Sequence, residues 1–309
     1  MIFFSGVTGI GYDLQLVCIN ICAVSVVYSL SIDIYRLEEK PIIYGVITTL
    51  YTIMNIGGTL FFIIVLHQDW MSRIYANIIT ATILFFCGGY LLIRKGYYKK
   101  VWPSKEKLKE SWKFGVPLIP HHLTSWLRQG VDRFIINANF LASLVGLFSF
   151  AMNFANIISI AGTAFNQSNS VFVFKCLSED PEGNREKLKK QTSYLFVLFL
   201  LLTLFVIILC FFLIPIVFPA YSDSVAYLIP LCCAAFFQCV YLLFCNFLFF
   251  YKKTKQLMYI TFFISIVHLL LSLWLTHFSV IYTAYISLVS SFLQAFLVFL
   301  YSKKLYNLF

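Results

Sequence analysis

Charge is scarce in this chain of 309 residues. Only 12% of positions are Asp, Glu, Lys or Arg, about half the share of an ordinary soluble domain. Carboxylates are the scarcer sign, 13 against 23 basic residues. The one carboxylate well inside an apolar run is Asp132, so no carboxylate pair is available for general acid–base catalysis. GxSxG, HExxH and P-loop patterns are also missing, which removes the common hydrolase, metalloprotease and NTPase readings. The nine cysteines lie almost wholly in apolar segments without CxxC spacing, so they read as small packing residues rather than metal ligands or a disulfide framework. Met1–Leu16 has no basic start and no small-residue cleavage site, so no cleavable signal peptide is expected.

What is abundant is apolar surface. Hydrophobic residues make up 61% and aromatics 19% of the chain. A globule of this size has no core large enough to hide them. Counted at ~20 residues per bilayer crossing, they suffice for about nine spans. Apolar runs broken by charge, Pro and Gly place these near 13–34, 42–66, 72–93, 115–138, 143–170, 193–218, 225–249, 257–276 and 279–301. An all-α polytopic membrane protein is the expected fold class.

The net charge of +10 is spread in a way that excludes a nucleic-acid binder, which would carry a basic stripe with exposed aromatics on a soluble domain. Twenty of the 23 basic residues fall in alternate connections: Arg36 and Lys40, Arg94 to Lys113, Lys175 to Lys190, Lys252 to Lys255, and Lys303 with Lys304. Such asymmetry places those connections in the cytoplasm. The C-terminus is then cytoplasmic, and nine crossings put Met1 on the outer side.

Function is carried by polar residues at bilayer depth, because each is costly unless it faces protein or water. His121, Ser125, Arg128 and Asp132 are spaced i, i+4, i+7, i+11 and form one helical stripe, with Arg133 on its flank. Two readings stay open here. Arg128 and Asp132 neutralise each other across one turn, or the stripe lines a path for an anionic substrate, its net charge being positive. Pro117 and Pro120 bend or loosen its entrance. Asn153, Asn156, Thr163, Gln167 and Ser170 share a face of the next span, as sugar-binding amides or as interhelical contacts. Tyr44, Thr48, Tyr51 and Asn55 repeat the spacing in the second span. The last span holds Tyr282, Thr283, Tyr285, Ser287, Ser290, Ser291 and Gln294. Because an ordinary imidazole changes charge near neutral pH, His121 and His122 are candidates for proton coupling, whereas His268, alone in its span, reads as structural packing.

Three stretches resemble one family. YRLEEKPIIYGVITTLYT (35–52) is similar to the charged cytoplasmic turn between the fourth and fifth helices of the Wzx-type O-antigen and capsule repeat-unit flippases, members of the multidrug/oligosaccharidyl-lipid/polysaccharide exporter superfamily. FGVPLIPHHLTSWLRQGVDRFIIN (114–137) resembles the opening of that family's second lobe. The stretch 221–255, ending FFYKKTKQ, resembles its tenth helix and following basic turn. Tyr282 and Tyr285 stand where the family often has glycine and alanine.

The resemblance implies a MATE-like two-lobe bundle with an incomplete N-terminal lobe: 1–93 as three helices of that lobe, 94–113 as a basic cytoplasmic linker, and 114–309 as the six-helix C-terminal lobe. It further implies translocation of undecaprenyl-diphosphate-linked oligosaccharide across a bacterial inner membrane for polysaccharide biosynthesis, without enzymatic chemistry or a cofactor. Arg128 and Arg133 would meet the diphosphate. Asp132, His121, Ser125, Asn153, Asn156, Gln167, Tyr44, Tyr51 and Asn55 would line the cavity. Membrane lipids, and a polysaccharide polymerase with its chain-length regulator, are the implied partners, with no nucleic acid. Alternatives are a drug or peptidoglycan-precursor exporter of the same superfamily, or a membrane-embedded glycan polymerase or acyltransferase. A polymerase needs a large outer loop, and every connection on that side is short.

Overall fold

The structure, a computed structural model, describes residues 12–38, 40–69, 71–97, 104–116, 123–124, 126–128 and 130–308. The described residues are helical almost throughout and contain no strand. Eight helical segments are long and apolar enough to cross a membrane. The expected crossing at 115–138 is described only in part, as helical residues 123–124 and 126–128 followed by a helix at Val131–Asn139. The chain divides into two compact units, Met1–Pro103 and Ser104–Phe309.

The first unit holds α1 (Tyr12–Leu37), α2 (Pro41–Ile64) and α3 (Met71–Arg94). Proline opens α2, where its missing N–H has no helical partner to lose. α3 packs on both other helices. The backbones approach closely where Gly88 faces α1: a Cβ there would stand 2.7 Å from Ser31 Oγ. Glu38 knots the helix ends. Its carboxylate accepts from Lys40 Nζ at 2.8 Å, Lys95 Nζ at 2.6 Å and Tyr97 Oη at 2.7 Å, while Lys95 also sits 3.9 Å over the Tyr35 ring.

These hydrogen bonds, that from Lys40 first, pull the Glu38 pKa down to about 2. A carboxylate with a depressed folded-state pKa stabilises above its unfolded value and loses that contribution as pH falls toward the folded one. The knot is therefore expected to persist at pH 5 and to open only as pH drops through ~4 toward 2. An NMR titration of a Glu-labelled sample checks this.

The second unit contains α4 (Lys105–Gly115), α5 (Val131–Asn139), α6 (Ala142–Glu179), α7 (Arg185–Val217), a 3-10 turn (Pro219–Ser224), α8 (Val225–Phe250), α9 (Thr254–Leu275) and α10 (Val280–Leu305). α4 covers the second half of the stretch 94–113 read as a linker from sequence and runs two residues past it. Ser104 caps it, accepting from Lys107 N at 3.4 Å, and Glu106 occupies the first turn, favourable at the positive end of a helix dipole. The three lysines and Leu108 that follow are good helix formers, so charge alone did not make this segment a coil.

α8 is the central helix, packed against α6, α7 and α10. In hydrocarbon, helices gain no hydrophobic driving force from one another and associate through close packing of small residues and polar contacts. α8 supplies those residues: Cys232, Ala234, Ala235, Cys239 and Cys245 are all buried. Cys239 meets Gly162 on α6, and Cys239 Sγ lies 3.5 Å from Ile158 O. A Cβ at position 162 would overlap that sulfur and come within 3.1 Å of Cys239 Cβ. Gly162→Ala is therefore expected to cost about 1–3 kcal/mol, read as a lowered unfolding temperature in micelles and partly restored by Cys239→Ala. Outward faces carry exposed apolar side chains such as Phe205, Phe212, Ile216 and Phe263, as lipid contact requires.

Candidate functional site

The second unit encloses a set of polar side chains near the start of α5. Asp132, in the first turn of α5, is fully buried. Its Oδ1 accepts from Ser272 Oγ at 2.8 Å and lies 3.1 Å from His268 Nε2, both on α9. Its Oδ2 accepts from Ser287 Oγ on α10 at 3.3 Å. On the other side of the imidazole, His268 Nδ1 is 3.0 Å from Ser290 Oγ.

Counting hydrogens assigns the protons. With the Ser290 hydroxyl hydrogen placed on Ile286 O at 2.7 Å, Ser290 Oγ accepts from His268, and Nδ1 carries a hydrogen in that tautomer. The contact between Nε2 and Asp132 then needs one further proton, which belongs either to the imidazole or to the carboxyl. In that tautomer the Asp132–His268 pair holds one shared proton and is neutral as a unit. Beyond it, Ser272 Oγ, Thr276 Oγ1 and Thr283 Oγ1 continue a line of hydroxyls at 3.4 and 2.7 Å. The line ends at the α9–α10 turn, where His277 Nδ1 meets Asn139 Oδ1 at 3.2 Å.

Arg128, one turn before Asp132, takes no part in that neutral pair. Its Nη2 donates to Gln238 Oε1 on α8 at 3.1 Å, and its Nε has no partner. Among the described residues, the ion pairs are those of Glu38, Lys175–Glu179 and His268–Asp132, and none reaches Arg128. The guanidinium is only 8% exposed. It borders a cavity of about 50 Å3 whose polar wall comprises Asn156, Ser159, Gln238, His268, Ser287 and Ser291, room for a few water molecules. Among the described residues this buried cation has no counter-ion, and it borders a small cavity whose wall includes amide and hydroxyl groups.

This arrangement overturns the reading in which Arg128 and Asp132 neutralise each other. Asp132 is satisfied by residues from two later helices, leaving the arginine charge in place. His268, read from sequence as structural packing, is indeed buried in the bundle and also hydrogen-bonded there. The imidazole is buried but engaged at both nitrogens, and its partner stands 136 positions earlier, beyond any local pattern. A signal was nonetheless present, because His268, Ser272 and Thr276 are spaced i, i+4, i+8 on one face of α9.

The other expected site residues are dispersed. Asn156 reaches the cavity. Asn153 and Arg133 are exposed and absent from the cavity wall; Arg133 is turned ~100° from Asp132 by the helical step. Gln167 shares the face of Asn156, but eleven residues carry it ~16 Å further along α6, where it is exposed. In the first unit, Tyr51 stacks on Tyr28 with centroids 5.2 Å apart, and Asn55 Nδ2 donates to Asn77 Oδ1 at 3.3 Å. Tyr44 is half-buried there. These contacts give Tyr51 and Asn55 partners on neighbouring helices of the first unit. His121 and Ser125 lie outside the described residues, as do His122, Pro117 and Pro120.

A profile of the MatE family matches residues 117–274, just over half of the chain and a range that runs from before Arg128 to beyond Ser272. The chain belongs to the MatE family. Solved structures agree on the fold. The outward-facing conformation of a multidrug resistance MATE family transporter of the MOP superfamily superposes with a TM-score of 0.67 at 16% identity, covering 90% of this chain and 65% of that one. A MATE protein in complex with MaL6 gives a TM-score of 0.62 at 16% identity, covering 91% and 66%. In sequence, a Haemophilus influenzae protein named for the Lsg locus is 22% identical over 272 residues, 85% of this chain and 66% of that protein. The chain thus spans about two thirds of the length of these relatives. It is a MatE-family, multi-pass membrane protein with a MATE-like helical fold.

Proposed function

We propose that this MatE-family chain carries out transport, moving a polyprenyl-diphosphate-linked oligosaccharide between the leaflets of a bacterial inner membrane for polysaccharide synthesis. The observation that supports this reading is the buried charge of Arg128. Among the described residues it has no carboxylate partner, and the wall of the cavity it borders combines Asn156, Gln238 and serine hydroxyls with apolar side chains such as Met152 and Leu231. A cationic drug would be repelled there, because Asp132, the one nearby carboxylate among the described residues, is already matched by His268. A diphosphate suits a guanidinium, whose planar fork donates charge-assisted hydrogen bonds in pairs. Sugar hydroxyls suit walls of amide and hydroxyl groups.

The cavity holds only a few waters in this conformation, so the cargo meets Arg128 when helices of the unit part, as alternating access demands. The basic connections, including Lys252 to Lys255 and Lys303 with Lys304, face the cytoplasm in this reading. Partners are then the lipid-linked cargo and the polymerase and chain-length regulator that receive it.

The test is translocation itself. Vesicles containing the protein and a fluorescent polyprenyl-diphosphate-linked sugar are treated with a membrane-impermeant reductant. Bleaching beyond the outer-leaflet half is expected, and bleaching that stops at one half contradicts the proposal.

A further inference from the structure

The second unit carries a groove of about 530 Å3 that shares no lining residue with the Arg128 cavity. Its floor is α8, with Phe237, Val240 and Phe244. One wall is α7, with Thr192, Ser193, Phe196 and Val197, and the other is α10, with Phe292, Phe296 and Phe299. α7 and α10 both pack on α8 rather than on each other, so they diverge and leave the space between them open. Protein interiors are packed to crystal density and leave few voids larger than a water molecule. A hole ten times the volume of the Arg128 cavity, with almost no polar atom in its wall, is not filled by side chains and has no partners to hold water. Within a bilayer, its occupant is hydrocarbon.

The sequence on both walls says what kind of molecule carries that hydrocarbon. On α10, Phe292, Phe296, Phe299 and Lys303 are spaced i, i+4, i+7, i+11, so the aromatic stripe of the groove runs directly into a lysine in the last turn. On α7, Lys190, Ser193 and Val197 are spaced i, i+3, i+7, so the opposite wall also begins with a lysine. Both lysines are exposed. Two walls that leave the same groove and end in cations at the same membrane surface complement a lipid whose head is an anion.

We infer that this groove is a binding site for an anionic phospholipid, one acyl chain lying between Phe196, Phe237 and Phe296 and its phosphate held by Lys190 and Lys303. The lipid is a resident of the leaflet at the basic end of the bundle. The inference is independent of the cargo proposed above.

The test uses the whole chain in phosphatidylcholine vesicles. The indole introduced by Phe296→Trp reports on the groove, and signal from the native tryptophans is subtracted with the unsubstituted protein. Phosphatidylglycerol brominated on its acyl chain is expected to quench the reporter at much lower mole fraction than brominated phosphatidylcholine. Each juxtamembrane lysine strengthens anionic-lipid binding about fivefold, so Lys190→Gln with Lys303→Gln should erase a preference of about 25-fold. Should Phe296→Trp fail to fold, native mass spectrometry of the otherwise unsubstituted chain gives the same comparison. Retained phosphatidylglycerol should exceed retained phosphatidylcholine, and the lysine pair should remove the excess. Equal quenching or equal retention of the two lipids overturns the site. So does displacement of phosphatidylglycerol by a stoichiometric polyprenyl phosphate, which would make the occupant the cargo.

Discussion

Arg128→Ala is expected to lower translocation of a lipid-linked oligosaccharide by about 10- to 100-fold, the range that corresponds to losing one charge-assisted hydrogen-bond donor worth about 1.5–3 kcal/mol. The same change is expected to leave the protein folded. Removing one partner of a buried ion pair strands the other charge at a cost of about 3–5 kcal/mol, but among the described residues Arg128 has no such partner to strand. Asp132 keeps Ser272, Ser287 and His268; only Gln238 Oε1 loses a donor. Against that stands relief from burying an unmatched cation. Unfolding temperature in micelles should therefore hold steady or rise as transport falls. Arg128→Lys keeps the charge without the fork and should fall between the two. An Arg128→Ala protein that unfolds in proportion to its lost transport would show that the guanidinium serves the fold instead.

The largest effect on stability is expected at His268. His268→Ala removes the group that shares a proton with Asp132, leaving a fully buried carboxyl with two hydroxyl donors. A loss of about 3–5 kcal/mol is the usual consequence of breaking a buried pair on one side. Because the two groups act as a neutral unit, their substitutions should not add. Asp132→Ala combined with His268→Ala should be clearly less destabilised than the sum of the single variants. Denaturant or thermal unfolding of the four proteins in one detergent measures the cycle. Additive losses would mean that no proton is shared across the 3.1 Å contact between Nε2 and Oδ1.

These two residues also mark how far the sequence could be read. The helices were legible because bilayer thickness dictates ~20 apolar residues per span, and the long runs at 42–66 and 225–249 meet that demand with little ambiguity. Helix ends were less so. α7 starts at Arg185 and α6 continues to Glu179, beyond their apolar limits, because Glu, Lys, Leu and Gln sustain a helix well into water. Polarity showed where an apolar run stopped; it did not show where the helix did.

Within the site, periodicity placed Arg128 and Asp132 on one stripe, since that relation is local. Which group neutralises Asp132 is not local. The answer depends on α9 and α10 folding back beside α5, and a single sequence carries no record of that contact. The hydroxyls at 272, 276, 283, 287 and 290 were visible as polar residues in apolar spans. Their grouping around one carboxylate emerged only from the packing of three helices.

The central claim, that the Arg128 charge is kept unmatched for an anionic lipid head, is most directly tested by affinity. Calorimetric titration of the purified protein with a polyprenyl diphosphate and with the neutral polyprenol of the same length isolates the head group from the chain. Tighter binding of the diphosphate by about tenfold or more is expected, with loss of that preference in Arg128→Ala. Equal affinity for the two lipids in the unsubstituted protein would contradict it.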